Sequence, residues 1–123
     1  MDVRNPYSSD CPTRMLLDRI ADKWAVLVLG LLMDRPVRFN RLRRTVEGIS
    51  QKMLSQTLKS LERDGLVSRK AIATVPVTVE YAVTPLGQSL AAPMDALRLW
   101  AETHMDEVIA NQQRHDAGAA AGV

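Results

Sequence analysis

The chain has 123 residues, 46% of them apolar and 24% charged, with a formal net charge of +2. That length suits one small domain whose core gains from further burial in an oligomer, and no apolar run approaches the roughly 20 residues a membrane span needs. A single cysteine, Cys11, excludes an internal disulfide framework, and His104 and His115 stand at no metal-ligand spacing, so they read as surface residues.

The opening MDVRNPYSSD lacks the apolar centre of a signal peptide; the expected location is the cytoplasm, with no membrane, metal or cofactor. Charge is segregated along the chain. From Arg35 to Lys70 ten bases face three acids, a net +7, while the remainder carries −5. This asymmetry points the middle of the chain at a polyanion.

Residues 1–10 read as a flexible segment and 111–123 as a flexible tail ending in DAGAAAGV, leaving 11–110 as the folded domain. A first helix starts at Pro12, a good first-turn residue, with Met15, Leu16 and Ile20 as its buried positions. Asp22 can cap a second helix whose Trp24, Leu27, Val28, Leu31 and Leu32 form a broad apolar face before Pro36. The two tryptophans, Trp24 and Trp100, lie on apolar faces and read as packing residues rather than ligand platforms. Asn40 is the expected cap of a short third helix, with Leu42 and Val46 inward and Arg41, Arg43 and Arg44 outward. Glu47-Gly48-Ile49 makes a tight connection.

The next helix, Ser50 to Asp64, is the most informative part of the chain. At 100° per residue Leu54, Leu58 and Leu61 share one side, while Lys52, Gln56, Lys59 and Arg63 fall within about 40° of the opposite direction. Ser50 supplies the N-cap and Gly65 the left-handed stop. The exposed edge therefore carries amide and ammonium groups that hydrogen-bond base edges and phosphates.

Beyond Gly65 the period changes to two. Val67 to Ala73 and Val77 to Val83 read as two strands, with Pro76 near the reversal. A helix, a tight connection, a second helix and a β-hairpin make a winged helix-turn-helix, so the expected class is mainly α with a small β-hairpin. Thr84-Pro85 opens a last helical region through Leu86, Leu90, Met94, Leu97, Trp100 and Val108, with Pro93 breaking or kinking it. Because the second and third helices and the hairpin already close a core, this terminal stripe is expected to pair with a second copy.

Asp22-Lys23-Trp24, Arg38-Phe39-Asn40-Arg41-Leu42, the run Ile49 to Leu58, Leu61 to Val67, Val79-Glu80-Tyr81 and Thr84-Pro85-Leu86-Gly87 resemble, in order and spacing, the HxlR-type bacterial transcriptional regulators, winged-helix relatives of the MarR group. The resemblance runs from Cys11 to about Trp100. It implies a homodimer on double-stranded operator DNA, with Ser50, Gln51, Lys52, Ser55, Gln56 and Lys59 at the groove and Arg38, Arg41 and Arg44 on phosphates. The first and last helices would form the dimer interface, through Met15, Leu16, Met94, Leu97, Trp100 and Met105. The wing departs from the pattern: Val77 and Thr78 stand where relatives often carry a proline and a base. That weakens the case for a tip clamped in the minor groove and leaves Arg69 and Lys70, at the wing base, for phosphates.

Cys11 matches a position that several branches of the family use to sense quinones, aldehydes or hypochlorite. A thiol at a helix N-terminus feels the positive end of the dipole, and Arg14 lies a turn away, whereas Asp10 opposes the thiolate. The plainer reading is a cysteine packed at the dimer interface. A small electrophile or oxidant as effector is tied to the first reading only. Nothing resembles a nucleophile–base pair or a phosphate-binding glycine loop, so an enzyme is not expected. The expected function is a DNA-binding regulator, more readily a repressor; the competing classes are a winged-helix protein-interaction module and a thiol-dependent switch.

Overall fold

A computed structural model describes residues 4–120. Its elements are α1 (Pro12–Ile20), α2 (Lys23–Leu32), β1 (Val37–Arg38), α3 (Phe39–Thr45), α4 (Gln51–Arg63), β2 (Val67–Ile72), β3 (Thr78–Val83), α5 (Pro85–Gln88) and α6 (Ala91–Ala120). The chain divides after Ala91 into two compact units, the second beginning at Ala92 and built on α6. The strands and helices are those of a winged helix-turn-helix, mainly helical with a small sheet. No helix among the described residues is long and apolar enough to cross a membrane.

The core of the first unit is built where helical periodicity puts leucine on one face. Val28, Leu29 and Leu32 of α2 meet Leu42 of α3 and Leu54, Leu58 and Leu61 of α4, all essentially inaccessible to solvent. At about 25 cal/mol per Å² of apolar surface, such side chains are the main stabilising term of a domain this size. Asp22 caps α2 as expected, its carboxylate accepting from the backbone N–H of Trp24 and Ala25 at 2.9 and 3.3 Å. The apolar face of α2 is rotated from the sequence reading, however: Leu27 is exposed and Ala25 and Leu29 are buried. A helix that is apolar nearly all round carries no periodic signal, so only its neighbours decide which side turns inward.

The expected β-hairpin is present as β2 paired with β3, and a third strand extends it to an antiparallel sheet of order β1-β3-β2, because Val37 and Arg38 pair with Tyr81 and Glu80. Two further expectations are corrected. That early strand makes Arg38, not Asn40, the N-cap residue of α3, and no side chain caps it. Within α1 none of the residues is buried; Met15 and Leu16 are exposed and Ile20 half-buried, so its apolar face is not covered by its own unit's core.

The last helical region is also arranged differently. Thr84 caps a short α5 that ends at Gln88, so Leu86 and Leu90 fall outside α6. Pro93 is the third residue of α6 and breaks nothing, since a first-turn N–H has no acceptor within its own helix. Residues 111–120, expected in a loose tail, continue α6 as helix, while 4–10 form successive turns joined by Ser8 N–H to Asn5 O and Cys11 N–H to Ser8 O, both 3.2 Å. Residues 1–3 and 121–123 of the expected flexible ends lie outside the described residues.

Candidate nucleic-acid interface

The ends of α4 are defined by local chemistry. Ser50 Oγ accepts the Met53 N–H at 3.0 Å, satisfying one of the donors that a helix start leaves open. At the other end Gly65 adopts φ +78°, and the Leu66 and Gly65 N–H groups return to Leu61 O and Glu62 O at 2.9 and 3.0 Å. This is a Schellman stop, with Leu66 buried behind it. Leu54, Leu58 and Leu61 thus anchor one face, and Gln51, Lys52, Ser55, Gln56, Lys59 and Arg63 are all exposed on the remainder.

The preceding turn sets the angle at which α4 leaves α3. Gly48 takes φ +90°, which a residue with a side chain rarely adopts, and a Cβ there would lie 3.8 Å from the ring of Trp24. Trp24 is half-buried beside this turn, with Lys23 Nζ 4.6 Å from its ring centroid, a packing role as the sequence suggested. Leu42 and Val46 hold α3 to the core and leave Arg41, Arg43 and Arg44 exposed.

The sheet carries further bases, of which Arg38 and Arg69 line a groove beside α3 and Lys70 does not. Arg38 and Lys70 both lie opposite Glu80, one on each side of β3, and Arg69 lies opposite Tyr81. Between α3 and the wing runs an open groove of about 840 Å³, lined by Arg35, Arg38, Arg41, Arg44, Arg69, the single acid Glu80, and Pro76 and Val77 of the wing turn. Among the described residues none of these arginines has an ion-pair partner. Free guanidinium forks on three different elements suit the oxygens of a phosphodiester chain. Arg35 is the groove residue that sequence reasoning passed over; its signal was its place at the start of the basic segment. The wing tip itself is apolar, with Val75 and Val77 strongly exposed.

The other expected site residues include Cys11 of the first unit and the apolar residues of α6 in the second. Cys11 is the N-cap residue of α1 and is fully buried, with no side-chain capping bond. Leu97, Trp100 and Met105 of α6 are exposed and Met94 is half-buried. His104, expected as a plain surface residue, is stacked on Trp100 with centroids 4.6 Å apart, and its Nδ1 lies 2.8 Å from the Trp100 carbonyl oxygen.

Comparison with known proteins identifies the family. Residues 19–109 match the HxlR-like helix-turn-helix family. Over 106 residues, 86% of this chain and 84% of the other, the sequence is 42% identical to YtfH of Escherichia coli K12, named as an uncharacterized HTH-type transcriptional regulator. Among solved structures, a Salmonella typhimurium YtfH described as a transcriptional regulator superposes with a TM-score of 0.84 at 39% identity, covering 89% of this chain and 97% of that one. The redox regulator HypR in its reduced form superposes at 0.74 and 34%, covering 80% and 98%. Enzymatic families do not figure in these likenesses. With an exposed amide-rich helix beside an arginine-lined groove, and with relatives that are transcriptional regulators along most of its length, the chain belongs to the HxlR-like helix-turn-helix family.

Proposed function

We propose that this protein is a cytoplasmic homodimer that binds a pseudopalindromic DNA operator and represses transcription there, each protomer placing α4 in one of two adjacent major grooves. The observation that carries this reading is the adjacency of two surfaces with different chemistry. Gln51, Lys52, Ser55, Gln56 and Lys59 offer donors and acceptors suited to base edges, with Ser50 at the helix start. Arg38, Arg41 and Arg44 on one wall, and Arg69 with Lys70 on the sheet, offer charge without sequence information.

Dimerisation is supported by exposed apolar side chains on two helices: Met15 and Leu16 of α1, and Leu97, Trp100 and Met105 of α6 with Met94 beside them. A single reading helix binds too weakly and too loosely to select a site in a genome, whereas two-fold symmetry doubles the site. The proposal extends to Cys11 as the point at which an oxidant or electrophile lowers DNA affinity, supported by the likeness to a named redox regulator, HypR. Complete burial of the thiol means that its reaction requires an opening of the surrounding turns.

The test is selection of bound duplexes from random DNA by the purified full chain, then mobility shift on the enriched sequence. Two inverted half-sites about one helical turn apart are expected. Failure to enrich any sequence refutes the reading and favours a protein-interaction module.

A further inference from the structure

A charged side-chain pair joins the C-terminal ends of α1 and α4. A helix C-terminus carries partial negative charge, so an acid there is disfavoured, yet Asp64 is the C-cap residue of α4. Arg19, in the last turn of α1, closes on it as a fork: Nε donates to Oδ2 at 2.6 Å and Nη2 donates to Oδ1 at 2.9 Å. The guanidinium also lies where it relieves the negative ends of both helices. The two side chains are 33% and 12% exposed, so the pair is partly shielded from solvent and salt. The hydrogen bond to Asp64 is the main cause of a raised Arg19 pKa, as expected of a guanidinium whose charged form is held by a carboxylate.

Deep burial does not fix the pitch of α1 against α4. No residue of α1 is buried, and a cleft of about 240 Å³ lies between Asp18 and Asp22 at the α1–α2 corner and Gln56, Ser60 and Leu61 of α4. Among the described residues no other ion pair joins two secondary-structure elements.

We propose that Arg19 and Asp64 are positioning residues: their bridge locks the reading helix to α1, and through α1 to the partner protomer, so that it sets which half-site spacing the dimer accepts. This rests on the dimeric DNA-binding reading above. Neither residue needs to touch DNA for the bridge to act.

The experiment uses the full chain and the duplex it selects from random DNA, with two base pairs inserted between the half-sites. The insertion rotates one half-site by roughly 70° relative to the other. The wild type is expected to lose at least about tenfold in affinity, since a rigid dimer then holds only one half-site. Arg19→Gln and Asp64→Asn are expected to lose less than about threefold on the same insertion, while binding an isolated half-site within about twofold of wild type. The exchanged pair Arg19→Asp with Asp64→Arg is expected to restore the wild-type spacing profile. If Asp64→Asn does not fold, Arg19→Gln, which removes the bridge and leaves the helix end unaltered, supplies the comparison by itself. Variants that bind as dimers with the wild-type spacing profile overturn this proposal alone. A chain that selects no sequence overturns the underlying reading with it.

Discussion

Replacing Arg41 by alanine removes one guanidinium from the wall of the groove and nothing from the core, because Arg41 is exposed on α3 while Leu42 holds the helix. Arg38, Arg41, Arg44, Arg69 and Lys70 have no competing carboxylate within ion-pair distance among the described residues, so each is available to one phosphate. Two protomers would then neutralise about ten phosphates, and the slope of log affinity against log salt is expected near −9, at about −0.9 per contact. Between 50 and 200 mM salt the wild type should therefore lose affinity by roughly 10⁵-fold. Arg41→Ala removes one contact per protomer, which moves the slope to about −7 and the loss to roughly 10⁴-fold, equally on selected and unselected DNA. Fluorescence anisotropy over a salt titration reads both quantities. Gln56→Ala is the control: the slope should stay, and discrimination between the selected sequence and a single-base variant should fall. An unchanged slope in Arg41→Ala, or equal loss of specificity from both substitutions, refutes the division between positioning and reading contacts.

Gly87→Ala should destabilise the fold by about 2–3 kcal/mol, lowering the melting temperature by roughly 10 °C, because a Cβ there meets the Leu66 carbonyl and lies 2.6 Å from Val83 Cγ2. The Leu66 oxygen cannot move aside, since it accepts the Thr84 N–H at 3.1 Å; a melting curve matching the wild type would contradict this. Ser50→Ala should cost about 1 kcal/mol in urea denaturation by leaving the Met53 N–H without its acceptor, and no measurable loss would deny Ser50 its capping role. An oxidant should weaken DNA binding by the wild type and leave Cys11→Ser unaffected; identical responses would reduce Cys11 to a packing residue. Alkylation of the native thiol should be slow and accelerate in mild denaturant, as its burial requires.

Legibility in the sequence tracked the range of the interaction. The capped helix from Ser50 onward, its leucine face, its exposed amide and basic edge and its Gly65 stop were all readable, because N-caps, left-handed stops and the 3.6-residue period act within a few residues of chain. The two wing strands were placed within a residue or so at their ends. By contrast, β1 is two residues long and too short to show alternation; it is a strand only because β3 lies beside it. The buried side of α2 was misassigned for a related reason, since an all-round apolar helix states that it is buried without stating where.

By itself the sequence determined a basic middle segment, a reading helix with distinct faces, a hairpin after it and a family, because these rest on local spacing and on the order of short motifs. Only tertiary structure decided that Arg35, Arg38, Arg41, Arg44 and Arg69 line one groove, that Glu80 lies opposite both Arg38 and Lys70, and that Arg19 reaches Asp64 across 45 residues. Such contacts depend on how separate elements close around a shared core, and the identity of a charged residue carries no record of which distant partner that closure will bring to it.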